Sequence, residues 1–173
     1  KYDIDVNKCR SEYPLLKNYP FDAMKKNSSI IIRYGSAYRR YFKGAAEQMF
    51  RASKEAINAD GAAVPIGGLE AEIMESIDRM TRTGLRTIGF GYYDLESLES
   101  DPTDPTKYLD PPEAPLTFIG CVGIKDPLRP ESRASVRTCM RAGIVVRMVT
   151  GDHPETAKFI ATECCILTSA NQV

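Results

Sequence analysis

The tightest constraint in this sequence is a pair of β-forming runs set two residues apart. Ser28-Ser29-Ile30-Ile31-Ile32-Arg33-Tyr34 is dense in β-branched side chains, and Tyr38-Arg39-Arg40-Tyr41-Phe42 returns after Gly35-Ser36. Glycine at the first central position suits a two-residue turn of type II′, whose twist matches that of antiparallel strands. The sequence therefore predicts a β-hairpin here. Upstream, Leu15 to Phe21 can pair as a strand, and Pro20, which has no N–H to donate, confines it to an edge or a strand end. Residues 1–14 read as irregular, and Phe21 to Asn27 as a polar segment with one aromatic and two lysines.

Beyond the hairpin the period changes. Ala46, Met49, Phe50, Ser53 and Ile57 recur at helical spacing and predict a helix. Asn58 to Gly68 reads as a loop. Leu69, Ile73, Ile77 and Met80 mark one face of a second helix, with Gly84 as a left-handed cap. Leu85 to Tyr93 then reads as a strand, in which Gly89 and Gly91 leave room for another backbone or a ligand. Glu96 to Pro115 holds five of the eleven prolines and reads as a surface excursion, with an interdomain linker as the other reading.

The last third has a parallel-sheet character. Phe118 to Ile124 is a buried-strand run, Lys125 to Glu131 a stiff turn, and the helix after it turns Val136, Cys139 and Met140 inward with Arg133, Arg137 and Arg141 outward. Gly143 caps it. Ile144 to Val149 is a near-continuous apolar run, the signature of a strand covered on both faces. It ends in Thr150-Gly151-Asp152, and Asp152 with Glu155 fits a D-x-x-E cap with Pro154 in the first turn. The final helix is expected to bury Ala157, Ile160, Ala161 and Cys164. The fold class is thus α/β. A mostly antiparallel sheet with helices fills residues 1 to about 115, and a partial parallel Rossmann-like β-α-β-α unit follows.

Composition removes several classes of function. Lys+Arg and Asp+Glu balance at 23 each, so no net field favours nucleic acid or an anionic membrane surface. No apolar run is long enough to span a bilayer, and the polar start is unlike a signal peptide. Five cysteines, an odd number and without a C-x-x-C pair, read as reduced thiols, and with a single histidine they argue against zinc. The start without methionine and the stop in Ser169-Ala170-Asn171-Gln172-Val173 read as a piece of a longer chain.

Several residues can carry chemistry. Lys43 stands where a strand ends, with Gly44 behind it, so a flexible point charge sits beside a backbone that a ligand can approach. Phe21, followed by Lys25 and Lys26, can stack a base and steer phosphates, or serve as core. Arg86, just after a capped helix, can clamp a phosphate or pair with a nearby carboxylate. Asp126 and Asp152 each follow an expected strand, so both carboxylates can face one crevice. Thr150-Gly151-Asp152 opens a helix, where anions and metals bind.

The order of these pieces resembles a family. Tyr19-Pro20-Phe21 with Lys25-Lys26 and Ser28-Ser29, then Tyr41-Phe42-Lys43-Gly44-Ala45, Gly84-Leu85-Arg86-Thr87, Gly123-Ile124 with Asp126-Pro127 and Arg129, and Met148-Val149-Thr150-Gly151-Asp152 are similar to the cytoplasmic region of P-type cation-transporting ATPases. The Tyr-Pro-Phe start and Leu116 to Ile124 resemble the plasma-membrane calcium-pump branch most. The resemblance implies a nucleotide-binding (N) domain over residues 1–117 and the start of a haloacid-dehalogenase-like phosphorylation (P) domain over 118–173. It implies ATP as ligand, with Phe21 stacking on adenine, Lys43 and Gly44 in the pocket, Lys26 and Arg86 toward phosphate, and Thr150, Gly151 and Asp152 near the transferred phosphoryl and its Mg2+. Asp126 and Arg129 correspond to the hinge. The parent implied is an integral membrane protein with this segment on the cytoplasmic face, moving a cation, Ca2+ by branch, through a membrane domain that is not on this chain.

Departures from the pattern define what the chain lacks. The Asp-Lys-Thr-Gly-Thr segment with the phosphorylated aspartate is absent, as is the Gly-Asp-Gly-x-Asn-Asp segment that holds magnesium. No catalytic or metal-ligating residue is therefore expected here. Ala23 stands where relatives place a phosphate-contacting arginine, for which Lys25 or Lys26 can substitute. Lys125 replaces an acidic residue and His153 an asparagine. Two other readings remain: a non-catalytic regulatory module that kept the fold but lost nucleotide, and a free-standing phosphatase, disfavoured because no Asp-x-Asp nucleophile strand precedes the β-α-β unit.

Overall fold

The hairpin is the best-formed part of the molecule. In the computed structural model, β2 (Asn27–Tyr34) pairs antiparallel with β3 (Ala37–Ala45) from Asn27↔Gly44 to Tyr34↔Ala37 without a break in register. Gly35 takes φ +63°, as the first central position of this turn requires. The structure describes residues 4–168; the polar start Lys1–Asp3 and the tail Ser169–Val173, on which the reading of a longer parent leaned, lie outside them.

Around the hairpin a seven-stranded sheet runs in the order β1-β2-β3-β6-β9-β4-β5. Its other strands are β1 (Leu15–Asp22), β4 (Ser53–Ile57), β5 (Ala63–Pro65), β6 (Arg86–Leu95) and β9 (Leu116–Ile124). β1 is an edge strand, as Pro20 demanded, and β4 runs parallel to β9 while the β1–β2, β3–β6 and β4–β5 pairs are antiparallel. The helices are α1 (Val6–Glu12), α2 (Ala46–Arg51), α3 (Glu70–Arg82), α4 (Ser132–Arg141) and α5 (Pro154–Glu163). The chain divides into two compact units. One takes the described residues up to Glu70 with Ile88–Cys121; the other takes Ala71–Thr87 and the described residues from Val122 on.

In the first unit the core lies where α2 meets the sheet. Ala46, Met49 and Phe50 are buried beside Ile31, Ala56 and Phe118, and Phe50 meets Phe118 edge to face at 5.4 Å between ring centroids. The two glycines of β6 let this happen. A methyl group on Gly89 would stand 2.9 Å from Ala46 Cα and 3.0 Å from Met49 Cβ, and one on Gly91 would stand 3.1 Å from Leu116. Both therefore admit neighbouring protein rather than a ligand.

In the second unit α3 ends as its sequence predicts. Gly84 has φ +76°, and the N–H groups of Gly84 and Leu85 reach the carbonyls of Thr81 and Met80, which is a Schellman cap. The Phe159 ring of α5 packs against Gly84, 2.2 Å from where a Cβ would be, and the buried Thr156 hydroxyl donates to the Leu85 carbonyl. Arg133 of α4 donates to the Glu163 carbonyl at 2.8 Å, tying the last two helices together. Ala161 and Cys164 are buried, as the helical period required, with Ala157 and Ile160 half-buried.

Six expectations are corrected. The helix expected to run from Ala46 to Ile57 stops at Arg51, where the Ser53 hydroxyl turns back on the Met49 carbonyl and Ser53–Ile57 joins β9 as a strand. Sheet pairing overrode a local helical period there. Residues 6–12 form a helix because Asp5 accepts from the N–H groups of Asn7 and Lys8. The Asn58–Gly68 loop contains β5 and a 3-10 turn at Ile66–Gly68, and the Glu96–Pro115 excursion contains a short ribbon of β7 (Ser100–Asp101) and β8 (Asp104–Tyr108). No residue of α4 is fully buried, and Met140, expected inward, is 36% exposed. Ile144–Val149 is not a strand: Val145 is 76% and Val149 96% exposed. A strand covered on both faces needs paired neighbours, and among the described residues none pairs with this one. The parallel β-α-β closure is therefore not formed, although α5 carries Pro154 in its first turn as expected.

Gly89→Ala is expected to lower the unfolding free energy by about 1–3 kcal/mol, the usual cost of forcing extra volume into a packed interface. Gly67→Ala, where an added Cβ meets nothing within 4 Å, is expected to be neutral or slightly stabilising. Urea unfolding of the two variants checks the pair.

Candidate functional site

The first candidate residues sit on one face of the sheet. Strand register alternates side chains between faces, so Ser28, Lys43 and Phe90, directly paired across β2, β3 and β6, project together. Ile30 and Tyr41, one pair further along, share that face, as does Asn18 of β1. Phe21 reaches it through a break in pairing. Tyr19 pairs with Ser29 and Asp22 with Asn27, so three steps on β1 match two on β2. The extra residue reverses the alternation and turns Phe21 toward the face of Ser28 and Lys43.

These side chains line a cleft of about 940 Å3, bounded by Tyr19, Pro20 and Phe21 on one side and by Lys43, Phe90 and Ile119 on the other. Its lining is largely aromatic and aliphatic, with Lys43 as its charge, and its size is at the upper end of the range for small-molecule sites. Phe21 is 67% exposed, a large aromatic that no core claims. The turn between them is held tightly. The Asp22 carboxylate accepts from the N–H groups of Met24 and Lys25, and Lys26 sits at φ +48°. Gly44 abuts that turn: a Cβ there would lie 2.6 Å from the Lys26 carbonyl and 2.9 Å from Asn27 Cβ. Its small size thus admits the Lys26–Asn27 backbone, a different use from the ligand approach read in the sequence. Lys25 stands 3.6 Å from Glu113, while Lys26 is exposed.

A second cluster lies wholly within the other unit. Arg86 Nε and Asp152 Oδ1 are 3.0 Å apart, so two sequence candidates meet, and of the two readings of Arg86 the carboxylate pair is the one formed. The Thr150 hydroxyl accepts from the Asp152 N–H, which closes the Thr-Gly-Asp turn. Asp152 does not cap α5 as its D-x-x-E spacing suggested. His153 does, with Nδ1 accepting from the Glu155 N–H at 3.3 Å, because the Asp152 carboxylate is turned toward Arg86. Asp126 and Arg129 lie exposed in the turn before α4, outside any ion pair among the described residues. Asp126 follows β9, but its expected strand neighbour is missing, so the two aspartates do not end adjacent parallel strands. Among the described residues no group of three or more His, Cys, Asp and Glu is placed to hold a metal ion.

Comparison with known proteins decides the family. A model of the P-type ATPase cytoplasmic domain N matches residues 1–131. The chain belongs to the P-type ATPase family. It is 40% identical over 167 residues to the calcium-transporting ATPase PAT1 of Dictyostelium discoideum, covering 96% of this chain and 14% of that protein. It is 39% identical over 170 residues to plasma membrane calcium-transporting ATPase 4 of Bos taurus, covering 95% and 14%. A putative plasma-membrane-type calcium-transporting ATPase 11 of Arabidopsis thaliana matches at 38% over 167 residues, covering 95% and 16%. The chain thus spans about one seventh of the length of these relatives.

Within this P-type ATPase chain the structure brings Phe21, Lys43 and Gly44 to one cleft, with the Lys26 backbone against Gly44, and brings Arg86, Thr150, Gly151 and Asp152 to one turn. Among the residues that line the cleft but were not singled out as site residues in the sequence are Asn18, Ile30, Tyr41, Phe90 and Ile119. The alternation of β2, β3 and β6 could have found Tyr41 and Phe90, but only once the register was known. Arg86 is 55% exposed, so its pair with Asp152 contributes little to stability. Asp152→Asn is expected to shift the unfolding free energy by no more than about 1 kcal/mol; a larger loss in urea unfolding would mean the pair organises the turn.

Proposed function

We propose that this chain is the adenine-nucleotide-holding part of an ATP-driven, calcium-transporting P-type ATPase. The single observation behind this reading is that the β1 bulge turns the exposed Phe21 onto the sheet face that carries Lys43, at one apolar cleft. Adenine stacks on Phe21, an interaction worth about 1–3 kcal/mol for base on aromatic ring. Lys43, on its flexible stem, neutralises phosphate charge as a mobile point charge, and Lys26 adds a second cation beside it. The relatives' names supply calcium.

In the parent, residues 1–117 act as the N domain and 118–173 as the start of the P domain. Thr150, Gly151, Asp152 and Arg86 serve the transferred phosphoryl and its magnesium, and Asp126 and Arg129 act at the hinge, on the cytoplasmic face of the membrane. Phosphoryl transfer depends on positioning and charge neutralisation, with an aspartate as the covalent acceptor. This stretch supplies the first two and has no Asp-Lys-Thr-Gly-Thr acceptor, so by itself it binds and does not turn over. One observation favours the alternative, a module that kept the fold and lost nucleotide. Of the two lysines that can replace the arginine missing at Ala23, Lys25 is paired with Glu113.

NMR titration with ATP separates the two. Binding perturbs Phe21 and Lys43, and Phe21→Ala or Lys43→Ala each weakens affinity by about tenfold, the lower to middle part of the range for a lost stacked base or phosphate charge. A folded chain with no shifts at millimolar ATP would leave only the regulatory reading.

A further inference from the structure

Phe21 rides on an edge strand of the sheet. β1 has a neighbour on one side only, its pairing with β2 slips between Leu15 and Lys17 and again between Tyr19 and Asp22, and Pro20 has no N–H to give. Such an edge needs a brace. It has one in the Glu96–Pro115 excursion, which neither the motifs nor the cleft accounts for. Lys17 Nζ donates to Asp110 Oδ1 at 2.6 Å and to the Tyr108 carbonyl at 2.5 Å, and the Tyr19 hydroxyl donates to the same Asp110 oxygen at 2.8 Å.

One carboxylate thus grips two residues of β1 that lie two apart, on the same face, immediately before the bulge. The excursion is itself anchored where it does so. The Leu109 N–H bonds the Glu99 carbonyl, and the buried Tyr93 hydroxyl donates to the Pro112 carbonyl at 3.3 Å. Behind Tyr19, the Arg40 guanidinium lies 4.1 Å from the ring centroid, so Tyr19 is held by its hydroxyl and its ring together. The bonds from Lys17 and then Tyr19 hold the Asp110 carboxyl below its ordinary range, so it is a carboxylate at neutral pH.

We propose that Asp110 is a positioning residue for the nucleotide cleft: it fixes Lys17 and Tyr19, and through them the bulge that turns Phe21 toward Lys43. This rests on the nucleotide reading above. Asp110 does not touch the ligand; its effect passes through the direction in which Phe21 points. The excursion then has a use, which is to set how firmly the adenine platform is held.

The test uses the full chain with ATP as the probe. In Asp110→Ala, amide exchange at Tyr19, Phe21 and Asp22 is expected to rise about tenfold with the urea midpoint unchanged, and ATP affinity to fall about two- to fivefold, the scale of one exposed charged contact. In a Phe21→Ala background the same change is expected to alter affinity by less than about 1.5-fold, because the platform it positions is gone. Tyr19→Phe, which removes only a hydroxyl, gives the same pattern in smaller degree and covers the case of an unstable alanine variant. Unchanged or tighter ATP binding in Asp110→Ala, or an equal loss in both backgrounds, would overturn the positioning role alone. No ATP shifts in the unmodified chain would overturn the nucleotide reading and this role with it.

Discussion

The register of β2 against β3 is the constraint on which the rest depends. It runs unbroken from the Gly35 turn to Gly44, and β6 continues it on the far side of β3 from Tyr38↔Leu95 to Ala45↔Ile88. A slip of one residue would carry every side chain to the other face. Lys43 would then leave the cleft, and Gly44 could no longer receive the Lys26 carbonyl, because only a residue without a Cβ fits there. The lysine and the glycine behind it are thus one device. Gly44 seats the turn that follows Phe21, and the seated turn keeps Phe21 and Lys43 on one surface.

Two consecutive arginines defend that register from opposite faces. Arg39 lies on the Lys43 face, between the rings of Tyr34 and Tyr92 at 4.1 and 3.9 Å from their centroids, and makes two bonds to Asp94. Arg40 lies on the other face, over Tyr19 and Phe42, and donates to Ser29 and Tyr93. Planar guanidinium groups stack and bond at once, which lysine cannot do. A slipped register would put each arginine among the other's partners. The sheet is therefore specified by polar matching as well as by burial of Ile31.

What could be read from the sequence was whatever is decided within a few residues. The Gly35-Ser36 turn, the Gly84 and Gly143 caps, the edge position imposed by Pro20 and the helix begun by Pro154 all depend on local backbone chemistry. Their residues announce it. What could not be read was decided by distant partners. Ser53–Ile57 had a helical period but found β9, and Ile144–Val149 had a strand pattern but no neighbour to pair with. Asp152 looked like a cap until Arg86 claimed it. The site divides in the same way. Phe21, Lys43 and Gly44 were visible as motif residues, whereas Asn18 and Phe90 line the cleft because of register, and the use of Gly44 against Lys26 needed three dimensions.

The central claim is that one sheet face holds an adenine platform at Phe21 and a phosphate-side charge at Lys43. Intermolecular NOEs between ATP and the folded chain test it most directly, since they report which protons lie within about 5 Å without any substitution. The account predicts contacts from adenine H2 and H8 to the Phe21 ring and from the ribose to side chains of the same face such as Ile30 and Tyr41, with none to Met24, which is 92% exposed but lies out on the turn. Adenine contacts on the opposite face, to Ile31 or Tyr93, or contacts scattered over exposed apolar residues such as Met24 and Val149, would contradict it.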